Sequence, residues 1–224
     1  RKTILFVNRY MVYSDIKIVA ERVQTENIEF YQIENFLTKY ECNNLIEIMK
    51  PRLSPSRIVQ NSNTNEYPDT VNSETRNSST CYFTEQNNLI VSIVESKMSL
   101  ASANDPMKGE ALQGQYYTVG QEFKRHLDTF PSGDENNVHM SRGGQRTWTF
   151  MVYLNDVESG GETVFDMIPL SVKPKTGKAI FWNNLTIDSK GDKIVNNYAA
   201  HCGSPVLSGE KYILTKWYRE SYCK

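Results

Sequence analysis

Arg146-Thr147-Trp148-Thr149-Phe150-Met151-Val152-Tyr153-Leu154 and, near the far end, Lys211-Tyr212-Ile213-Leu214-Thr215-Lys216-Trp217-Tyr218 are the stretches on which the fold turns. Both are short runs of β-branched and aromatic residues bounded by Gly, Asn or Asp, which is how strands read. Tyr116–Val119, Phe123–Asp128 and Lys178–Trp182 carry the same signature. Strands this short, separated by turn residues from Gln115 onward, predict an antiparallel sandwich or barrel, because a parallel sheet would need regular crossover helices between them.

The first half reads differently. Thr38-Lys39-Tyr40-Glu41 has capping-box spacing, Leu45, Ile46, Ile48 and Met49 form an apolar stripe, and Pro51 ends the helix. A second helix is expected to begin near Thr84, with Leu89, Ile90, Ile93, Val94 and Met98 on one face. Between the two, residues 54–80 are rich in Ser, Asn, Thr and Pro and read as a long loop, the kind that serves as a lid or binding segment.

Composition narrows the class. A chain of 224 residues with 39% hydrophobic residues can close one sizeable core, and 12 Gly with 8 Pro are too few for a collagenous or low-complexity chain. Twenty-five basic side chains almost cancel 26 acidic ones, so no global field favours nucleic acid or an anionic membrane. No apolar run nears the roughly 20 residues of a bilayer span. Arg1 opens the chain, and the short apolar run Ile4–Val7 could follow a removed leader. Cys42, Cys81, Cys202 and Cys223 form no CxxC zinc pattern, and one or two bridges or four thiols are equally compatible with their spacing.

The chemistry lies in the strand-rich part. On a strand, residues two apart point the same way, so His126 and Asp128 would face one interior point. His201 lies before a Gly-Ser-Pro turn, and two histidines with one carboxylate on a β scaffold make the facial ligand set of a non-heme Fe(II) with open positions. A 2-oxo acid could take two of those positions and dioxygen the third. Its far carboxylate would need a cation, and Lys211 is suited to the task. By parity Lys211, Ile213, Thr215 and Trp217 share a face. A hydrolytic zinc site is the competing use of two His and one Asp, but it leaves Lys211 without a task. His139, in a polar stretch, is the rival ligand and reads as a surface residue.

Several ordered motifs then resemble the 2-oxoglutarate- and Fe(II)-dependent prolyl 4-hydroxylases, from about Glu29 to Arg219. They are residues 115–128, Gly143-Gly144-Gln145-Arg146, the run 153–165 with its Glu158-Ser159-Gly160-Gly161-Glu162-Thr163, residues 172–177 and Gly209-Glu210-Lys211, with weaker likeness at 33–38 and at Arg76-Asn77-Ser78-Ser79. The small single-domain algal and viral members are the most similar. The resemblance implies a double-stranded β-helix jelly-roll core with packing helices, residues 29–224 forming the domain and residues 1–28 an N-terminal extension. It implies His126, Asp128 and His201 as iron ligands and Lys211 as partner of the 2-oxoglutarate distal carboxylate, with Tyr117 and Thr163 hydrogen-bonding that carboxylate. Arg76, Arg146 and Trp217 would lie on the peptide side. The implied reaction uses O2 and 2-oxoglutarate to hydroxylate C4 of proline in a proline-rich peptide, releasing succinate and CO2, with ascorbate sustaining turnover and a monomer as the default state.

Residues 54–80 and 129–142 are the expected lids. Three departures bear on peptide preference: His201-Cys202-Gly203-Ser204-Pro205 in place of the usual distal motif, Arg219 where relatives often carry His, and a lengthened acidic stretch between Asp128 and Gly143. A same-fold oxygenase acting on another substrate and a jelly-roll binding module without chemistry are the alternative readings.

Overall fold

Phe150 and Val152 turn to one side of the strand Arg146–Tyr153, and Thr149, Met151 and Tyr153 to the other. This two-residue period, set by the strand backbone, divides the molecule into an outer and an inner core. The computed structural model describes residues 18–59, 69–70, 74–84, 88–131 and 138–222. An eight-stranded antiparallel sheet runs in the order Glu21–Val23, Phe30–Ile33, Ala179–Asn183, Arg146–Tyr153, Lys211–Arg219, Leu112–Tyr117, Ser79–Phe83, Ser54–Pro55. A four-stranded antiparallel sheet, Leu170–Val172, Thr163–Phe165, His201–Gly203 and Phe123–His126, faces it. The two sheets make the jelly roll.

Two helices cover the outer face of the large sheet. The first, α1 (Lys39–Met49), starts at Thr38, whose hydroxyl accepts from the Glu41 N–H while the Glu41 carboxylate accepts from the Thr38 N–H, the reciprocal cap expected from the sequence. Its buried residues are Cys42, Leu45 and Met49. The second, α2 (Leu89–Ser102), begins five residues later than expected, because the Asn88 side chain caps the N–H groups of Ile90 and Val91. Its inward face is Val91, Val94, Met98 and Ala101, whereas Leu89 is exposed. These side chains meet Phe150, Val152, Phe181, Leu214 and Tyr218 from the sheet. Each such fully buried side chain contributes roughly 1.5–3 kcal/mol of apolar burial.

Gly177 joins the helical layer to the sheet. Its φ of +76° is a left-handed conformation open to glycine, and an added Cβ would run into the Leu37 carbonyl. The Leu37 N–H donates to the Gly177 carbonyl at 3.1 Å, so the entrance of α1 is fastened to the turn before Ala179–Asn183.

Strand boundaries move from the sequence reading by a few residues. Leu112–Tyr117 starts earlier than Tyr116, Lys211–Arg219 runs one residue further, and Phe123–His126 stops before Asp128. The stretch 54–80 is not one continuous loop: Ser54–Pro55 pairs with Ser79–Phe83, and Ile58–Val59 pairs with Asp69–Thr70. The rest of that expected lid at 60–68 and 71–73, and residues 132–137 of the other, lie outside the described residues. Cys42, Cys81 and Cys202 are free thiols, and Cys223 lies outside the described residues. No helix among the described residues is long and apolar enough to cross a membrane.

Candidate active site

The inner faces of the two sheets enclose a pocket lined by His126, Asp128, Thr149, Thr163, His201 and Lys211, among others.

His126 and His201 sit directly opposite one another across an antiparallel pair, so register alone brings two imidazoles together from positions 75 residues apart in sequence. Asp128 lies two residues past the end of the first of these strands, in the bend that follows, and its carboxylate faces both rings. The His126 Nε2 lies 3.7 Å from Asp128 Oδ1 and the His201 Nε2 3.8 Å from Asp128 Oδ2. One donor atom from each residue falls within 4.8 Å of the others.

The tautomers follow from hydrogen bonding. Each Nδ1 faces a backbone carbonyl, Lys124 at 2.8 Å for His126 and Ala199 at 3.0 Å for His201. A carbonyl only accepts, so Nδ1 carries the proton and Nε2 presents its lone pair inward. Burial pushes the His126 pKa down to about 3, helped by His201 and opposed by Asp128. Burial by itself would raise the Asp128 carboxyl, yet the neighbouring imidazoles and the Thr149 hydrogen bond hold it below its ordinary value. Two neutral nitrogens and one carboxylate, buried together, fit a divalent first-row metal such as Fe(II).

Asp128 is held on two sides. The Thr149 hydroxyl donates to Oδ2 at 2.6 Å and itself accepts from the Asn184 amide at 2.9 Å. Arg146 Nη1 reaches the Asp128 carbonyl at 3.3 Å.

Lys211 opens its strand with the side chain inward and 2% exposed. Among the described residues its ammonium has no ion pair or hydrogen bond; it lies 5.2 Å from the Tyr117 ring centre and 5.8 Å from that of Tyr153. Burial lowers its pKa to about 8, against the pull of Glu162. A buried ammonium at the edge of a pocket and without an anion is a binding site for one. Ile213, Thr215 and Trp217 line the same pocket, as parity requires. Tyr117 donates to Gln115 Oε1 at 2.9 Å, and Thr163 accepts from Tyr153 at 2.7 Å.

The three residues expected on the peptide side are not free arms. Arg146 grips Glu110 through two bonds of 2.7 and 2.6 Å and stacks 3.9 Å over Trp217. Arg219 shares Glu110 at 2.8 Å. Both guanidiniums hold the Glu110 carboxyl below its ordinary pKa despite burial. Arg76 is buried against Ser78, Thr80 and Gln113 and stacks on Phe123, whose ring in turn lies against His126. His139 is half-buried against Phe130, not on the surface as its polar neighbours suggested, and it lies outside the His–Asp–His group.

Thr149, Asn184, Glu110, Gln113 and Gln115 had not been singled out from the sequence. Thr149 carried a readable signal, a hydroxyl at an inward position of an otherwise apolar strand; Asn184 and Glu110 carried none.

Residues 112–219 match the family model described as the 2OG-Fe(II) oxygenase superfamily. Prolyl 4-hydroxylase 2 of Arabidopsis thaliana is 34% identical over 205 residues, covering 82% of this chain and 64% of its own length. Probable prolyl 4-hydroxylase 8 of the same plant is 35% identical over 204 residues, covering 82% of this chain and 66% of its own. The chain thus spans just under two thirds of these relatives. Among solved structures, a viral collagen prolyl hydroxylase from Paramecium Bursaria Chlorella virus-1, in complex with 2OG, superposes with a TM-score of 0.62 at 27% identity, covering 84% of this chain and 94% of that one. A Pseudomonas putida prolyl-4-hydroxylase shares the fold, with a TM-score of 0.55 at 16% identity over 85% of this chain and 92% of its own.

Proposed function

The chain belongs to the 2OG-Fe(II) oxygenase superfamily, beside the prolyl 4-hydroxylases, and on that premise we propose that it hydroxylates C4 of proline in proline-rich peptides or proteins. What supports the reading is the pairing of the His126–Asp128–His201 group with an unsatisfied, buried Lys211 in one pocket. His126, Asp128 and His201 would hold Fe(II). When bound, iron and 2-oxoglutarate supply the oxygen chemistry: one oxygen atom of O2 enters the substrate and the other accompanies decarboxylation of the oxo acid to succinate and CO2.

The protein's own part is binding, orientation and exclusion of water. Lys211 would meet the distal carboxylate, which supplies a counter-charge to an ammonium that burial has stripped of water. Thr163 and Tyr117 are the hydrogen-bonding partners in this reading. Tyr117 would have to release Gln115 to donate, whereas the Thr163 hydroxyl, already accepting from Tyr153, has its proton available. Phe165, Trp182 and Phe123 pack around the histidines and keep the reacting centre dry.

An extended proline-rich segment exposes C4 and loses little entropy on docking. Arg76, Arg146 and Trp217, with the segments 54–80 and 129–142, form the proposed peptide side. Glu110 holds Arg146 and Arg219, and both guanidiniums lie over the Phe130 ring with Arg146 also over Trp217, so they would act on a peptide by fixing this wall of the site. Ascorbate is the proposed reductant for turnovers that go uncoupled, and a monomer the proposed working unit.

The test is turnover of a proline-rich peptide by the intact chain and by His201→Ala, reading succinate and product mass together. One added oxygen localised to proline, lost in the variant, is the expected result. Oxygen on another residue would leave the oxygenase and remove the proline assignment, and no succinate with Fe(II), 2-oxoglutarate and ascorbate present would favour a binding module.

A further inference from the structure

We infer that Thr149, oriented by Asn184, is a positioning residue that occupies one oxygen of Asp128 and so leaves the other as the donor to the metal. The inference rests on the metal-site reading above and adds to it two residues of the strand Arg146–Tyr153 and the segment after Ala179–Asn183.

The direction of every bond in this relay is fixed by chemistry. An ionised carboxylate only accepts, so the Thr149 hydroxyl proton points at Asp128 Oδ2, 2.6 Å away. The hydroxyl oxygen then needs a donor, which obliges Asn184 to present its NH2, at 2.9 Å. Turning the amide round would set its oxygen against another acceptor. The amide pays with its other end: the Asn184 Oδ1 is buried without a hydrogen-bond partner. A buried polar atom left unsatisfied calls for an explanation, and holding the donor toward Thr149 supplies one.

The relay is also stiff. Thr149 and Asn184 are each 1% exposed. The Asn184 backbone is pinned on both sides, its N–H donating to the Thr147 carbonyl at 2.8 Å and its carbonyl accepting from the Asn196 N–H at 2.9 Å. Without the relay, the two Asp128 oxygens would be near equivalents, each 3.7–3.8 Å from one imidazole Nε2. With it, one oxygen has a lone pair committed to a strong charge-assisted bond, and the carboxylate presents a single preferred donor. That preference keeps coordination positions open for a chelating oxo acid and for oxygen.

The experiment is Co(II) binding to the metal-free protein, followed by calorimetry and by the visible absorption of the bound ion, with no turnover required. Thr149→Val removes the hydroxyl at nearly constant shape; Thr149→Ser keeps it; Asn184→Leu removes the donor behind it together with the unpartnered Oδ1. Partners that orient metal ligands typically carry about ten- to a hundred-fold in affinity. Thr149→Val is therefore expected to bind Co(II) about ten- to a hundred-fold more weakly with an altered spectrum. Thr149→Ser should match the unmodified chain, and Asn184→Leu should weaken in the same direction. Melting of the metal-free variants serves as the folding control. Wild-type affinity and spectrum in Thr149→Val or in Asn184→Leu, or a loss that Thr149→Ser does not rescue, would overturn the inference while leaving the metal site standing. Failure of the unmodified chain to bind Co(II) would overturn both.

Discussion

Replacing Lys211 with methionine should make the cofactor-free protein more stable and at the same time blind to 2-oxoglutarate. The ammonium is buried, and its pKa moves from 10.5 to about 8 chiefly by desolvation. At about 1.36 kcal/mol per pKa unit, carrying the charge inside costs about 3 kcal/mol at neutral pH. Below pH 8 the ammonium is charged in both folded and unfolded chains, and the full cost is present. Between pH 8 and 10.5 the folded chain gives up the proton while the unfolded chain keeps it, so stability rises with pH through that window. Methionine fills much of the same space without a charge, so Lys211→Met should recover most of the 3 kcal/mol and lose the alkaline rise. For a chain of 224 residues this corresponds to a melting temperature roughly 6–12 °C higher at pH 7. Addition of Co(II) and 2-oxoglutarate at a hundred times its dissociation constant should then stabilise the unmodified protein by about 2.7 kcal/mol and the variant by nothing beyond Co(II) alone. Differential scanning fluorimetry across pH 7–10.5, with and without the pair, reads both effects. A variant that melts below the parent without cofactor, or that 2-oxoglutarate protects equally, refutes the assignment of Lys211 as an anion site waiting for its charge.

Acid should act on the metal-free protein through His126. Its pKa of about 3 lies below the ordinary 6.5, so this group's stability is present above pH 6.5 and is lost as pH falls toward 3; urea midpoints that stay flat from pH 7 to 4 would contradict it. Glu110→Gln leaves two buried guanidiniums without their shared carboxylate and should cost about 3–5 kcal/mol in urea unfolding. A loss under about 1 kcal/mol would mean that the arginines are neutralised by something else. Thr38→Ala removes the reciprocal cap of α1 and should lower stability by about 1 kcal/mol in the same assay, with no change in Co(II) affinity.

What the sequence disclosed depended on period and on covalent neighbourhood. The strand Lys211–Arg219 was legible as a run of β-branched and aromatic residues, and the two-residue period of any strand then put Lys211, Ile213, Thr215 and Trp217 on one face, where the pocket has them. The α1 cap was legible because its partners, Thr38 and Glu41, lie three residues apart. The start of α2 was missed because an apolar period does not say which of several polar residues stops it; Asn88 does so by reaching two N–H groups. The short strands Thr163–Phe165 and Leu170–Val172 were also missed. Three residues give no measurable alternation, and these two exist because the opposite sheet supplies their core.

Strand parity predicted that Asp128 would share an interior point with His126, and it does, although the assigned strand ends at His126 and Asp128 lies in the bend beyond it. His201, opposite His126 in register, depends on a pairing that no local signal encodes; residue type and its place before a Gly-Ser-Pro turn offered it as a ligand, and the family resemblance agreed. Beyond the ligands, legibility falls away, because a hydrogen bond's direction is a property of a network. Thr149 donates to Asp128 since a carboxylate cannot donate, and Asn184 must then donate to Thr149. Each orientation is forced by the previous one, beginning from a charge whose location is known only after the sheets have closed. The residues that hold a catalytic carboxylate in place are therefore the last to be found from sequence and the first to follow once its position is fixed.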